Sequence, residues 1–343
     1  MTAPAASVVI GVYNRRREIV ACVESLLRST FADFEIVLVE DASTDGSGEV
    51  LDRLAREHPG RVRVIHNASN RGASGARNVG MEAARGEVVL FTDSDCVVEP
   101  AWVEEMVKGF RRTGAAAISG TVLDKPPSNL TERAYVGSCW VMRKTPNLME
   151  GNFGLRRDLG FRLDEAIFGG EGDDLAVRLR AASHAIALVP EAVVHHHHAL
   201  RFRDYMRMGR QQGRGHALYW YKHGAWLGRD VVAGSLAILT LPLGLADARL
   251  LAVPGALAAL QLAGLLLNEI YYKRKPFAEA LVVLPVSASF YAVRIVSVLA
   301  VLARVLAGRE PAIRASRRRW REERTALGAR RTAAPPAAAG RQS

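Results

Sequence analysis

Cysteine is scarce: Cys22, Cys96 and Cys139 are the three in a chain of 343 residues. They lie far apart and form no CxxC or zinc-ligand spacing, so neither a disulfide framework nor a thiolate metal centre is expected, which fits a reducing compartment. Other signatures are missing too. No strand-like run leads into a Gly-x-Gly-x-x-Gly turn and no P-loop lysine motif occurs, so the usual NAD and ATP phosphate cradles have no counterpart. No basic flank precedes Ser7-Val8-Val9-Ile10, as it would in a secretory leader, and the N-terminal part is expected to stay in the cytosol. Neither a basic recognition helix nor an aromatic stacking module appears, which removes nucleic acid as a partner despite a net charge of +11.

That charge is unevenly placed. Residues 1–200 hold 23 Lys and Arg against 27 Asp and Glu, net −4, whereas residues 201–343 hold 23 against 8, net +15. The basic part also carries the long apolar runs, over 231–246, 250–267 and 277–307, the last interrupted by Glu279, Arg294 and Arg304. Crossing a bilayer takes about 20 apolar residues. The first two runs are each slightly short and read as a tight hairpin or one broken segment. The third spans the membrane or lies in its interface, since a central Arg costs roughly 2.5–3.5 kcal/mol. Lys273-Arg274-Lys275 and Arg317-Arg318-Arg319 favour the cytoplasmic side, which with a cytosolic N terminus implies an even number of crossings. Anionic membrane lipids are the partner this composition suggests. The expected division is 1–200, an α/β catalytic domain; 201–230, amphipathic interfacial helices; 231–307, hydrophobic membrane segments; and 308–343, a basic tail, disordered over Thr332–Ser343.

Within the first 120 residues, β-branched runs at Ser7–Tyr13, Phe34–Glu40, Val62–His66, Glu87–Thr92 and Ala115–Thr121 read as strands. Arg16–Leu27, Gly48–Arg56, Gly75–Ala84 and Ala101–Phe110 read as the helices between them. Continuous apolar strands separated by helices predict a parallel sheet covered on both faces, with ligands bound beyond the carboxyl ends of the strands. That rim collects Tyr13-Asn14, Glu40 to Asp45, Asn67 to Gly75 and Asp93-Ser94-Asp95. Two carboxylates at the mouth of a buried strand raise each other's pKa and lose hydration unless something compensates them. A hard divalent cation, Mg²⁺ or Mn²⁺, does so by bridging Asp93 and Asp95 to a diphosphate. An Asp-rich turn capping the helix that begins near Glu99 is the other reading of the tripeptide.

In order, "VVIGVYN", "VEDASTDGS", "NRGASGARNVG" and "TDSD", then "FGGEGDDLAVRL" and "PEAVVHH", resemble the family 2 glycosyltransferases with the GT-A fold, up to about residue 198. The resemblance implies an α/β, Rossmann-like, mostly parallel sheet flanked by helices, here followed by a helical, membrane-associated C-terminal region. It also implies that Tyr13 and Asn14 line a nucleotide pocket and that Asp41 contacts the base, uracil foremost. Arg77, Asn78 and Ser94 would lie near sugar and phosphates. Asp93 and Asp95 would be the acids of the DXD motif, with His196 as a third metal ligand.

The same family takes its general base from an acidic motif at a helix start. Aligned on Leu175, this chain reads Glu171-Gly172-Asp173-Asp174, with Gly172 where the usual catalytic Asp stands. The base is then Asp173, preferred, or Glu171, or the loop is shifted by one residue; acids here also suit the helix macrodipole. "GRQQGRGHALYW" is similar to the Gln-x-x-Arg-Trp signature of processive synthases at Gln211 and Arg214, but Gly215 replaces the Trp, and a basic amphipathic surface helix is the preferred reading.

The expected protein is a metal-dependent, inverting glycosyltransferase on the cytoplasmic side of the cell membrane. It would move a sugar from a nucleotide-diphosphate sugar, UDP foremost, to a lipid-linked or cell-envelope glycan. The rivals are a processive polysaccharide synthase, a non-catalytic nucleotide-sugar-binding protein favoured by Gly172, and a membrane-tethered nucleotidyltransferase using Arg15-Arg16-Arg17.

Overall fold

Four apolar runs of the N-terminal third form parallel strands: β1 (Ala6–Val12), β2 (Phe34–Glu40), β3 (Val62–His66) and β4 (Val88–Thr92). The structure, a computed structural model, describes residues 3–136, 147–197, 199–224 and 229–333; Cys139, His198 and the tail from residue 334 lie outside the described residues. Helices α1 (Glu18–Leu27), α2 (Ser47–Glu57) and α3 (Gly72–Ala83) connect these strands. Successive strand residues point to opposite faces. Val8 and Ile10 accordingly enter one core with Ile36 and Trp102, while Val9 enters the other with Val37 and Leu175.

The sheet continues through β5 (Cys96–Val98), α4 (Trp102–Thr113), β6 (Ala117–Asp124), α5 (Leu130–Tyr135), β7 (Asn152–Arg156), α6 (Glu171–Ala181) and β8 (Ile186–His196). Its strand order is β3-β2-β1-β4-β7-β6-β8-β5. β7 runs antiparallel between β4 and β6, and β5 runs antiparallel to β8. Asn152, fully buried at the start of β7, donates to the Thr121 and Ala192 carbonyls, both at 2.8 Å, and accepts the Trp102 indole N–H at 2.8 Å. One amide thereby locks β6, β7, β8 and α4 together.

Beyond residue 200 the chain is helical: α7 (Phe202–His223), α8 (Arg229–Thr240), α9 (Ala252–Leu267), α10 (Phe277–Leu306) and α11 (Pro311–Ala333). Two continuous segments, Ala248–Tyr272 and Phe277–Leu306, are long and apolar enough by length and composition to cross a membrane, with mean hydropathies of 2.1 and 1.9. Residues 231–245 form a shorter apolar helix. Leu239, Leu245, Leu260 and Tyr271 point outward. α7 lies directly on α10: a Cβ at Gly213 would come within 2.3 Å of the Arg294 carbonyl, and one at Gly209 within 3.0 Å of the Phe290 ring.

Candidate active site

The C-terminal rim of the parallel strands gathers most of the polar residues singled out in the sequence. After β4, a turn closed by the Cys96 N–H on the Asp93 carbonyl at 3.0 Å brings Asp93 and Asp95 to the surface of the rim. The antiparallel pairing of β5 with β8 sets Cys96 opposite His196. Side-chain donor atoms of Asp93, Asp95, Cys96 and His196 therefore all lie within 4.8 Å of one another. His196 Nε2 is 3.0 Å from Asp95 Oδ1, and the Arg15 guanidinium is 3.5 Å from Asp95 Oδ2. Burial alone would depress the His196 imidazole, but Asp95, Asp93 and Asp124 raise its pKa. Burial and the same two aspartates push the Cys96 thiol well above its ordinary value, so it stays a protonated thiol at neutral pH. Two carboxylates and an imidazole this close suit a divalent cation. The neighbouring histidine faces the other way: His195 Nε2 is 2.6 Å from Glu99.

Arg77 joins this cluster to the start of α6. Its buried guanidinium donates to Asp93 Oδ1 at 2.6 Å and to Glu171 Oε1 at 2.7 Å. Burial disfavours that charge, yet Asp93, Glu171 and Glu150 more than offset it and raise the pKa. Glu171 also accepts the Gly169 N–H at 3.1 Å. Asp173, partly exposed, accepts the Asn147 amide. Asp174 is buried in a different role, with His223 at 2.7 Å, Lys222 at 2.6 Å and Arg178 at 3.4 Å, and anchors α7 to α6.

Glu150 is the acid the sequence did not single out. It precedes Gly151, whose φ of +83° and tight approach to Asp93 demand glycine: a Cβ there would sit 2.8 Å from Asp93 Oδ2. Glu150 Oε1 accepts the Gly170 N–H at 2.7 Å. Burial, then the charge of Glu171, push its carboxyl up to about 8. Gly172 has no room for a side chain, since a Cβ would lie 2.6 Å from the Leu148 carbonyl oxygen.

The residues expected to face a nucleotide divide. Tyr13 is 48% exposed at the rim. Asn14, at φ +52°, stitches two rim loops, its N–H donating to Ser43 Oγ at 3.1 Å and its Oδ1 accepting the Thr44 N–H at 2.8 Å. Asp41 accepts the Asn67 amide at 2.7 Å and the Arg71 and Gly72 N–H groups, each at 2.9 Å. That uses three of about four lone-pair directions of a carboxylate. Ser94 is buried within the Asp93–Asp95 turn. Asn78 is directed elsewhere: its amide holds the Leu163 backbone through both N–H and C=O, at 2.9 Å each, and reaches Glu165 at 3.1 Å. At Gly215 the tightest approach in this region occurs, with α7 lying against the Gly169 carbonyl so that no side chain fits.

Comparison with known proteins agrees with this architecture. Residues 7–160 match the family model "Glycosyl transferase family 2". Glycosyltransferase GlyG of Streptococcus pneumoniae is 38% identical over 130 residues, 38% of this chain and 43% of that protein. Putative glycosyltransferase EpsH of Bacillus subtilis is 41% identical over 108 residues, 32% of this chain and 31% of its own length. The match thus spans less than half of either relative. Among solved structures, mannosyltransferase PcManGT from Pyrobaculum calidifontis, in complex with GDP-Man and Mn²⁺, superposes with a TM-score of 0.59 over 87% of this chain and 88% of that one. At 19% identity this likeness speaks for the fold, and it extends into the C-terminal helices. Residues 7–160 are thus similar to glycosyl transferase family 2 domains, and the chain has the mostly parallel sheet and flanking helices of the GT-A fold.

Proposed function

We propose that the protein is a membrane-associated, inverting glycosyltransferase using a nucleotide-diphosphate sugar, with residues 1–200 as its catalytic unit and 201–230 and 231–307 as its interfacial and membrane parts. The observation that carries this reading is the convergence of Asp93, Asp95 and His196 at the sheet rim, joined through Arg77 to the acids at the start of α6. Asp93, Asp95 and His196 would hold a divalent cation, which when bound neutralises the diphosphate as its bond to the sugar breaks. An imidazole in the donor set favours Mn²⁺ over Mg²⁺. Tyr13 presents an exposed ring for the base, Asn14 shapes the pocket floor, and Asp41 keeps one acceptor direction for a base N–H. Ser94 and Arg77 lie on the phosphate side. Asn78 supports the pocket wall from behind. A single displacement makes a β-linkage from an α-linked donor, with the acceptor proton taken by an acid near the start of α6. UDP is the first nucleotide to test, and GDP the second, because PcManGT was solved with GDP-Man.

A lipid-linked or cell-envelope glycan acceptor follows from the two apolar segments and the +15 charge of residues 201–343: an acceptor dissolved in the bilayer is best met by an enzyme held there, and anionic lipids attract the basic helices. Lys273-Arg274-Lys275 and Arg317-Arg318-Arg319 favour the cytoplasmic side. A second reading, donor binding without transfer, is favoured by Gly172. Processive synthesis is disfavoured, since Gly215 leaves no room for a stacking Trp.

The test is nucleoside-diphosphate release by the full-length protein in detergent, over UDP-glucose, UDP-galactose, GDP-mannose and dTDP-rhamnose, with bacterial membrane lipid extract as acceptor. Turnover of one donor that requires Mn²⁺ or Mg²⁺ and disappears in Asp95→Ala is the expected result. Tight metal-dependent donor binding without turnover supports the second reading, and no binding of any donor overturns both.

A further inference from the structure

The acids at the start of α6 are nearly all committed. Glu171 is bound to Arg77 at 2.7 Å and to the Gly169 N–H at 3.1 Å, Asp174 lies beneath Lys222 and His223, and position 172 is closed by the Leu148 carbonyl. Asp173 is tied to Asn147. Glu150 enters the same space from another part of the chain. It hydrogen-bonds the Gly170 N–H at 2.7 Å, interacts with Glu171, and is followed by Gly151, packed against Asp93.

Resting on the glycosyltransferase reading above, we propose that Glu150 is the general base that takes the proton of the acceptor hydroxyl. Its position meets both demands of that role. Through Gly151 it lies beside the Asp93–Asp95 turn, hence near the carbon that would carry the diphosphate, and its own carboxylate bonds the Gly170 N–H at the start of α6. Arg77 bonds one Glu171 oxygen and the Gly169 N–H the other, so within the Glu150–Glu171 pair Glu150 is the carboxyl left to exchange a proton. Among the described residues Glu150 is the carboxyl raised toward the range in which a base works at neutral pH. In the step itself the acceptor O–H proton passes to a Glu150 carboxylate oxygen as the acceptor oxygen bonds to the anomeric carbon. The bond from that carbon to the diphosphate oxygen breaks with its electron pair on the diphosphate, and Glu150 then releases the proton to water.

The experiment uses the full-length protein with the donor that turns over in the panel above, Mn²⁺ and the lipid extract, and compares wild type with Glu150→Gln, Glu150→Asp and Glu150→Ala. Gln is isosteric and still accepts the Gly170 N–H, so a purely structural Glu150 would leave Glu150→Gln close to wild type. The proposal instead expects Glu150→Gln to keep its donor KM within about threefold while kcat falls about 10²- to 10⁴-fold, the usual contribution of a general base. Glu150→Asp, which retains the carboxylate, should keep more activity than Gln, and formate should partly restore Glu150→Ala. A Glu150→Gln enzyme within about threefold of wild type in kcat, with the loss falling on Asp173→Asn or Glu171→Gln instead, overturns the proposal while leaving the transferase reading intact. Absence of turnover by the wild type over the whole panel overturns both.

Discussion

Arg77, itself buried, carries one positive charge between two carboxylates, the buried Glu171 and the partly exposed Asp93. Removing one partner of such a buried network leaves charge unpaired and costs about 3–5 kcal/mol. Arg77→Ala should therefore lower the thermal midpoint and weaken divalent-cation binding together, as read by calorimetry with and without Mn²⁺. Arg77→Lys should recover only part of both, because a point charge cannot bond two acids in the planar fork. The residues around Glu150 fix a second expectation. Glu171 on α6 and Arg77 on α3 are the charged groups facing Glu150, and burial with the Glu171 charge pushes its carboxyl up to about 8. A base works deprotonated, so the transfer rate should rise with pH through about 8, and Glu150→Gln should flatten that rise; a rate independent of pH from 6 to 9 would contradict it. At this scale Asp93 and Asp95 were legible because an apolar strand ending in two acids needs a reason. Glu150 was not, because its nearness to Glu171 arises only when the segment before β7 folds back beside α6. Likewise the departure at Gly172 was visible as a letter, whereas its cause, the Leu148 carbonyl, is a tertiary contact.

Among the elements, the alternation of strands and helices in the first 120 residues could be read from period and apolar content alone, and β1 to β4 follow it closely. β7 could not: five residues, Asn152–Arg156, with a glycine at their centre, carry too little pattern, and their antiparallel insertion depends on Gly154 fitting against Leu90 and Phe110. α5 shows how a short element earns its place. Asn129 caps it by accepting the Glu132 N–H at 2.9 Å, and Glu132 reaches back to the Ser128 N–H at 2.7 Å and across to the Leu200 N–H at 3.1 Å. Burial would raise the Glu132 carboxyl, but Ser128, Lys125 and Leu200 bring it down to about 2. Its folded value is thus below its unfolded one, so it adds stability above about pH 4.5 that is lost as pH falls towards 2. Glu132→Ala should cost about 3 kcal/mol at pH 7 and much less at pH 3, measured by urea unfolding at both. Equal losses at the two pH values would show that packing rather than charge holds α5.

For the molecule as a whole, the α/β domain and the C-terminal helices are packed together at α7. Gly209 and Gly213 allow α10 to touch its backbone, Arg214 pairs with Glu310 at 3.2 Å, and Lys222 reaches Asp164 at 2.5 Å. Truncation near residue 230 should therefore expose an apolar face of α7 and yield a less stable, aggregation-prone protein rather than a freely soluble enzyme. Size-exclusion chromatography and thermal unfolding of the two forms would check this, and an equally stable soluble fragment would refute it. The charge split and the apolar runs were plain in the sequence; that α7 is welded to α10 by glycines was not, since small residues signal close approach only once the partner helix is known. Asp93, Asp95 and His196 at the sheet rim would hold a divalent cation together with the nucleotide diphosphate. Electron paramagnetic resonance of Mn²⁺ titrated into the full-length protein with and without UDP or GDP tests this most directly. At least tenfold tighter Mn²⁺ binding with one of the nucleotides is expected, with loss of that gain in Asp95→Asn. Nucleotide binding of unchanged affinity in EDTA, or an Asp95→Asn protein that binds Mn²⁺ and nucleotide together as wild type does, would contradict it.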